Sequence, residues 1–385
     1  MLYWDHAAST PPYDEVIQTM AEVMKKHYGN PSSIHRMGED ASKLVKRSRE
    51  VCAKSLAVQP SEIVFTSGAT EGNNLAIKGA ALQYRNRGKH IITTAIEHPS
   101  VYESCQQLKE WGYELTVVPV SKEGTVDPAQ IAAAVRKDTI LVSVMYVNNE
   151  TGAIQPLESI GRMVKDANPL TLFHVDGVQG FGKCPIDLRT CKIDLFTISA
   201  HKIGGPKGVG LLYIRNGVQL VSLMSGGEQE QGIRSGTENI PAIVAMAKAV
   251  RMSVQAQPDT ALRRGHIRDY LIDRIEDIPE LVLNSSSNSA PHIVHFCYPG
   301  MKSEVLLHAL EEQGMLVSTK SACSSKKTEP SRVLLAMGHN VSAASSGIRI
   351  SIGDEHTLED ARRLADAIVA AVGRFNHFKK ERYSS

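Results

Sequence analysis

The chain has 385 residues, 42% of them hydrophobic and 22% charged, and 43 Lys and Arg stand against 41 Asp and Glu for a formal charge of +2. That balance describes an ordinary globular protein of about two domains, without the cationic excess of a nucleic-acid or membrane-surface binder. No apolar run approaches the ~18 residues of a membrane span. Met1-Leu2-Tyr3-Trp4-Asp5-His6 lacks the basic start and apolar stretch of a secretory signal, so a cytoplasmic protein is expected.

Residues 1 to about 15, with Pro11-Pro12 near their end, read as extended and irregular. A helix follows from near Asp14, then a turn-rich loop at Tyr28–Ser33 and a second helix over roughly Gly38 to Leu56. Ile63–Thr66 is a short buried strand running into Ser67-Gly68-Ala69-Thr70-Glu71, which opens a helix through Leu75, Ile77 and Leu82. Such a glycine turn is either an ordinary capped helix start or a cradle of backbone N–H groups and positive dipole that suits a phosphate. The alternation goes on with strand His90–Thr94, a helix after Glu97-His98-Pro99-Ser100 toward Trp111, strand Leu115–Val118 and strand Ile140–Val147. The last is nearly all apolar, as a strand covered on both faces should be. It ends in Asn148-Asn149-Glu150-Thr151-Gly152. Leu172–Asp176 follows a further helix and leads into Gly177-Val178-Gln179. Strands alternating with helices predict an α/β fold with a mostly parallel sheet.

Near the middle, the apolar runs Asp194–Ile198 and Val209–Ile214 read as strands, and Ser199-Ala200-His201-Lys202 followed by Ile203-Gly204-Gly205-Pro206-Lys207-Gly208 lies between them. A lysine there is an ordinary loop lysine or one desolvated enough to act as a nucleophilic amine, as Schiff-base chemistry needs. Ligands of parallel α/β sheets sit outside the carboxyl ends of the strands. His98, Asn149, Asp176 and Gln179 fall there, beside Thr70. Each has a structural reading, His98 as a turn before proline and Asp176 as a helix cap. Their convergence with a lysine between strands points to a site.

Beyond Pro258 the pattern changes. A charged helix runs to near Ile278, then come strands Leu281–Leu283 and Ile293–Phe296, helix Ser303–Gln313 and strand Leu316–Ser318. Two helices flank strand Gly347–Ile352. The last helix starts at Thr357 with Asp360 three residues on, a capping-box-like start, and Leu358, Ala361, Leu364, Ile368 and Val372 share one face. A large domain over 14–257 is expected, with a smaller α/β domain over 258–385 on which residues 1–13 pack.

Six cysteines (Cys52, Cys105, Cys184, Cys191, Cys297, Cys323) form no CxxC pair and no zinc-ligand spacing. The scatter suits a reducing compartment, with five of the thiols as fillers and no metal site expected. Cys323 differs. Thr319-Lys320-Ser321 before it and Ser324-Ser325-Lys326-Lys327 after it make a polar, basic setting that lowers a thiol pKa. The plainer reading is a surface thiol of no consequence.

Ser67-Gly68-Ala69-Thr70-Glu71, Glu97-His98, Asn148-Asn149-Glu150, His174-Val175-Asp176, Ser199-Ala200-His201-Lys202 and Arg234-Ser235-Gly236-Thr237 occur in the order and rough spacing of the class V aminotransferase superfamily. Ser321-Ala322-Cys323-Ser324-Ser325 makes the chain resemble the NifS/IscS-type cysteine desulfurases within it. The resemblance runs from Tyr3 to beyond Arg349. It implies a fold type I aminotransferase-like architecture and a homodimer that converts L-cysteine to L-alanine and leaves sulfur on Cys323 as a persulfide. Lys202 would carry pyridoxal 5′-phosphate as a Schiff base and move the α-proton. Asp176 would face the pyridine nitrogen, Gln179 would bond the phenolic oxygen, and His98 would stack on the ring as a catalytic residue beside Lys202 and Cys323. Phosphate ligands would be Ala69, Thr70, Ser199 and His201, with Thr237 reaching in from a second subunit. Asn149 and Arg349 would hold the substrate carboxylate.

Some positions depart from that family's pattern. Glu228 and Gln231 replace a usual glycine and arginine in the glycine-rich turn, Lys320 replaces a common glycine, and Gly204 stands where many relatives have tyrosine or another residue. The chain ends soon after Phe378, without the longer tail of relatives that dock an iron–sulfur scaffold, so a dedicated acceptor such as a tRNA-thiolation enzyme is expected beside iron–sulfur assembly. Neither a membrane nor a nucleic acid is expected as a direct partner. An aminotransferase or selenocysteine lyase on the same fold is the alternative among enzymes, and a sulfur carrier with a degenerate site is the alternative outside them.

Overall fold

The computed structural model describes residues 1–319 and 329–383. In chain order its first elements are β1 (Leu2–Tyr3), α1 (Asp14–Lys26), α2 (Arg36–Ser55), β2 (Ile63–Thr66), α3 (Ala69–Gln83), β3 (His90–Thr94), α4 (Pro99–Glu110), β4 (Glu114–Val118), α5 (Pro128–Ala134), β5 (Thr139–Met145), α6 (Leu157–Ala167), β6 (Leu172–Asp176), β7 (Leu195–Ser199) and β8 (Gly210–Ile214). Then come α7 (Ile240–Glu276), β9 (Val282–Leu283), β10 (Ile293–Cys297), α8 (Ser303–Glu311), β11 (Met315–Leu316), α9 (Arg332–Ala336), α10 (Val341–Ala344), β12 (Gly347–Ser351) and α11 (Leu358–Tyr383).

Seven strands form one sheet in the order β2-β8-β7-β6-β5-β3-β4. Only β8 runs against its neighbours, so the carboxyl ends of the other six gather at one edge. The expected mostly parallel α/β sheet is therefore present. Alternation along its strands feeds two cores. Ile92, Val142, Phe173 and Phe196 face one side, under α2, α6 and the first half of α7. Ile91, Leu141, Leu172 and Leu195 face the other, under α3 and α4. A period of two places each set on its own face, and burial on both faces explains why these strands read as continuous apolar runs.

α3 sits unusually close to the sheet. A Cβ on Gly72 would come within 2.7 Å of Thr197 Cγ2, so only glycine lets the first turn of α3 lie on β7. This approach brings the start of α3 beside the end of β7.

A separate core holds Trp4, Ile267, Leu271, Val294, Phe296, Ile348, Ile350, Leu364 and Ile368. Around it lie the antiparallel sheet β12-β10-β9 and the parallel pair β1-β11. At the start of α11 the Thr357 hydroxyl accepts from Asp360 N–H (3.2 Å), and the Asp360 carboxylate accepts from Thr357 N–H (3.0 Å). That reciprocal pair is the capping box anticipated there.

The sequence pattern and the structure part company at Pro258. One helix, α7, runs through it and reaches both cores, with Met246 and Val250 in the first and Ile267 and Leu271 in the second. Proline inside a helix costs about 3 kcal/mol; apolar anchoring on both sides holds the helix together, so it starts well before the point beyond Pro258 where the sequence pattern placed it. The anticipated strand Leu316–Ser318 is a two-residue strand, β11, plus a single bridge between Ser318 and Arg349. The short α5 had no counterpart in the sequence reading.

Candidate active site

The carboxyl edge of the sheet opens into a cavity of about 440 Å³. Ala69, Thr70, His98, Asn149, Asp176, Gln179, Ser199, His201, Lys202 and Arg349, all singled out in the sequence, line it together. Five of them follow directly from strand ends, namely Thr70 after β2, His98 after β3, Asn149 after β5, Asp176 at the end of β6 and Ser199 at the end of β7.

Lys202 lies in the turn after β7, half-buried, and its Nζ donates to the carbonyls of Ala7 (2.6 Å) and Ala8 (2.7 Å). The N-terminal segment clamps this turn elsewhere too. Thr10 N–H donates to His201 O (2.8 Å), the Thr10 hydroxyl to Lys202 O (3.2 Å), and Tyr13 N–H to Gly204 O (3.0 Å). The clamp also explains a departure noted in the sequence. Gly204 has φ +75°, and a Cβ there would lie 2.3 Å from Tyr13 Cε2. The Tyr13 ring fills the space a side chain at 204 would need.

Asp176 is buried, with Oδ2 accepting from Asn73 Nδ2 (2.9 Å) and Oδ1 from Val178 N–H (3.1 Å). Both donors suit a carboxylate, which can only accept. Gln179 Nε2 donates to Ala7 O (2.9 Å), and its Oε1 accepts from Lys183 Nζ (3.3 Å). His98 caps α4 and its Nδ1 accepts from Ser100 N–H (3.2 Å). Burial pulls the His98 pKa down, opposed by the nearby Asp176 charge.

At the other end of the cavity the first turn of α3 has Gly68 at its N-cap and no capping side chain. That turn lines the cavity together with Ser199 and His201. Burial, and then the charges of Lys202 and Lys207, push His201 down to about 4, so it is neutral near pH 7. Glu71, in the same turn, is ion-paired with Arg234 at 2.8 Å.

Arg349 is 1% exposed. Its Nη1 donates to Asn149 O (2.8 Å), Nη2 to Asp5 Oδ1 (2.7 Å), and Nε has no partner among the described residues. A buried guanidinium with an unmet N–H, beside a cavity, is suited to an anionic group of a ligand.

Pyridoxal phosphate fits this donor set. Uncapped helix N–H groups with Ser199 and His201 make an anion cradle, Asp176 supplies an acceptor-only carboxylate, and Lys202 supplies the amine. One anticipated residue is not brought in. Thr237 is exposed, in the stretch before α7, and does not line the cavity of its own chain. Cys323 and Lys320 lie outside the described residues. Among the described cysteines burial raises every thiol, Cys52 and Cys105 to about 12 and Cys184 and Cys297 to about 11, with Cys191 also raised. Such thiols hold their protons and make poor nucleophiles.

The sequence reading gave no role to Asn73, Ser100 and the Ala7 and Ala8 carbonyls. Glu97 was noted only as the neighbour of His98. It is fully buried, and burial lifts it to about 8 against hydrogen bonds from the Thr94 hydroxyl and Met145 N–H. Arg332 reaches the carbonyls of Ala95 and Glu97. Of the two departures in the glycine-rich turn, Gln231 has φ +61°, and Nε2 donates to Ser61 O (3.3 Å); nothing in the structure explains Glu228. Between them Glu230 is buried, with Arg49 bidentate on its carboxylate (2.7 and 2.8 Å).

A second titratable cluster lies next to Ala7, where His6, Glu355 and His356 bring ligand-type atoms within 4.8 Å of one another. Gly353 N–H donates to His356 Nδ1 (2.8 Å), which leaves that neutral ring's proton on Nε2 and takes both nitrogens out of metal ligation. His6 Nε2 is paired with Glu355 Oε1 at 2.7 Å.

The family model described as Aminotransferase class-V matches residues 2–364. The chain is 42% identical over 369 residues to the cysteine desulfurase IscS of Dictyoglomus turgidum, covering 95% of this chain and 93% of that one. Among solved structures, a NifS-like protein has 38% identity and a TM-score of 0.91 over 97% of this chain and 99% of its own. A second structure, SspA in complex with cysteine, has 34% identity and a TM-score of 0.81 over 91% and 99%.

Proposed function

Because the chain belongs to the class V aminotransferase family, and because its relatives over nearly the whole length are cysteine desulfurases, we infer that it converts L-cysteine to L-alanine and passes the sulfur on. It is a pyridoxal-phosphate-dependent cysteine desulfurase. The observation that carries the residue-level reading is the single cavity in which an amine, an acceptor-only carboxylate, two neutral imidazoles and an uncapped helix start converge.

Bound there, pyridoxal phosphate supplies an electron sink beside the carbon that bears the substrate's amino group. Lys202 Nζ would anchor it and, once freed, lift the α-proton of L-cysteine and return a proton. Ala69, Thr70, Ser199 and His201 would hold its phosphate. Asp176 would pair with its protonated ring nitrogen, Gln179 would bond its phenolic oxygen, and His98 would cover its face. Arg349 and Asn149 would orient the substrate carboxylate, for which the unmet Nε–H of Arg349 is available. The Cys323 thiolate would attack the substrate sulfur. A sulfur–sulfur bond forms, the Cβ–S bond breaks, its electron pair stays on Cβ, and a proton there completes alanine. High thiol pKa values at the described cysteines support Cys323 in that role.

The same reading makes the enzyme a homodimer, with Thr237 of each chain completing the partner's phosphate site. It also divides the chain into 14–257 and 258–385 with 1–13, which the two cores reached by α7 support. Sulfur goes to an acceptor protein, proposed as an iron–sulfur scaffold or a tRNA-thiolation enzyme. No helix among the described residues is long and apolar enough to cross a membrane. The described cysteines are all free, which supports a reducing cytoplasmic setting.

The test is an assay with L-cysteine and dithiothreitol. Alanine and sulfide should appear in equal amounts. A keto acid in place of alanine would identify an aminotransferase, and strong preference for selenocysteine a lyase. Absence of alanine from L-cysteine would overturn the reading.

A further inference from the structure

Three hydrogen bonds of the same length connect two site residues that lie far apart in sequence. Asn73 Nδ2 donates one N–H to Asp176 Oδ2 (2.9 Å) and the other to Ser100 Oγ (2.9 Å), and Ser100 Oγ lies 2.9 Å from His98 Nδ1. The direction of the last bond of this chain is read from a fourth, longer contact. Ser100 backbone N–H points at His98 Nδ1 (3.2 Å). A backbone N–H can only donate, so Nδ1 is an acceptor and the proton of the neutral ring is on Nε2. Ser100, whose oxygen already accepts from Asn73, then turns its own hydroxyl hydrogen toward Nδ1. Every polar hydrogen in the chain has one consistent direction, from Asn73 outward to Asp176 on one side and through Ser100 to His98 on the other.

We propose that Asn73 and Ser100 are positioning residues that hold the His98 ring in one tautomer, with its proton on Nε2, and tie that ring to the Asp176 carboxylate. His98 lines the cavity, and with Nδ1 engaged, Nε2–H is the polar group the ring has left to offer a ligand there. His98 thus serves the cavity as a neutral hydrogen-bond donor. Accepting a second proton on Nδ1 would set two N–H groups of His98 and Ser100 against each other. The single Asn73 amide, both of whose N–H bonds are used, couples the orientation of His98 to that of Asp176. Neither Asn73 nor Ser100 has to touch the reacting atoms. Asn73 is 0% exposed and packs in α3 behind the cavity wall.

This deepens the desulfurase reading and rests on it for the meaning of the proton on Nε2, but the tautomer can be read without any turnover. Holoenzyme labelled with 15N-histidine, recorded by long-range 1H–15N correlation in the absence of L-cysteine, reports the state of each of the 14 histidines. The His98 signals are identified by their loss in His98→Gln. The wild type should show His98 protonated on Nε2 alone from pH 7 to 9. Asn73→Ala and Ser100→Ala leave Nδ1 only the longer 3.2 Å backbone contact, without the oriented hydroxyl at 2.9 Å, and should show mixed or exchanging tautomers, and Ser100→Thr, which keeps the hydroxyl, should restore the single state. Alanine formation should fall about tenfold in the two alanine variants, a part of the ~10²–10³ that a placed hydrogen-bond donor contributes, and recover in Ser100→Thr. His98 protonated on Nδ1 in the wild type would overturn the proposal, as would an unchanged His98 spectrum in both alanine variants. Should one alanine variant fail to fold, the wild-type spectrum and the other variant decide. Failure of the enzyme to release alanine from L-cysteine would count against the desulfurase reading and leave the tautomer result standing.

Discussion

Gly204→Ala tests how the fold presents Lys202. Gly204 sits two residues after the lysine with φ +75°, and an added Cβ would fall 2.3, 2.5 and 2.8 Å from three atoms of the Tyr13 ring. A left-handed backbone costs a non-glycine residue about 1–2 kcal/mol, and overpacking of this kind costs a further ~1–3 kcal/mol. The ring has little freedom to move aside. Tyr13 OH donates to Asp354 Oδ2 (3.0 Å), and Tyr13 N–H is bonded to Gly204 O. The variant should therefore lose roughly 2–5 kcal/mol, the sum of those two ranges, read as lower midpoints in thermal and urea unfolding. It should also hold the cofactor less tightly, because the displaced segment carries the Ala7 and Ala8 carbonyls that receive Lys202. Tyr13→Ala in the same chain removes the overlap but not the backbone strain. The double variant should be more stable than the sum of the singles predicts by ~1–3 kcal/mol. Stability of Gly204→Ala within about 0.5 kcal/mol of the wild type, or strict additivity with Tyr13→Ala, would refute the reasoning.

Burial holds the proton of Glu97 up to about 8, against 4.5 for an ordinary glutamate. Between those values the folded chain keeps a proton that the unfolded chain has released, so this group's contribution to stability falls as pH rises, by up to about 1.4 kcal/mol per unit. Glu97→Gln keeps an acceptor for Thr94 and Met145, and its stability advantage over the wild type should grow from pH 5 to pH 8; parallel unfolding curves across that range would contradict it. Lys202→Ala should lose the yellow, borohydride-reducible cofactor linkage and nearly all turnover. A reducible adduct on another lysine of that variant would move the anchor elsewhere. Mixing inactive Lys202→Ala chains with an inactive Thr237 variant should restore part of the activity through composite sites, and a fully active monomer in sedimentation at assay concentration would exclude them.

Strands were legible where a short β-branched run met a polar or glycine stop. Ile63–Thr66, His90–Thr94 and Leu172–Asp176 end where their apolar character ends, and the carboxyl-edge rule then located the cavity. What escaped the sequence was what depends on partners far along the chain. Asn73 meets Asp176 from 103 positions away, and Gln179 meets Ala7 from 172 away; no local pattern records either pairing. Gly204 read as a departure because its reason, the Tyr13 ring, comes from the other end of the chain. For the opposite cause, Pro258 hid the earlier start of α7 at Ile240. Its local rule is sound, but the burial of α7 in two cores outweighs the ~3 kcal/mol a helical proline costs.

The central claim is that sulfur leaves L-cysteine by way of Cys323. The most direct measurement is mass spectrometry of the wild-type enzyme after brief exposure to L-cysteine, set beside alanine release by Cys323→Ser. The peptide bearing Cys323 should gain one sulfur atom, and Cys323→Ser should bind the cofactor and change colour with L-cysteine yet release almost no alanine. Normal alanine release by Cys323→Ser, or the added sulfur on Cys297 or Cys105, would contradict the account.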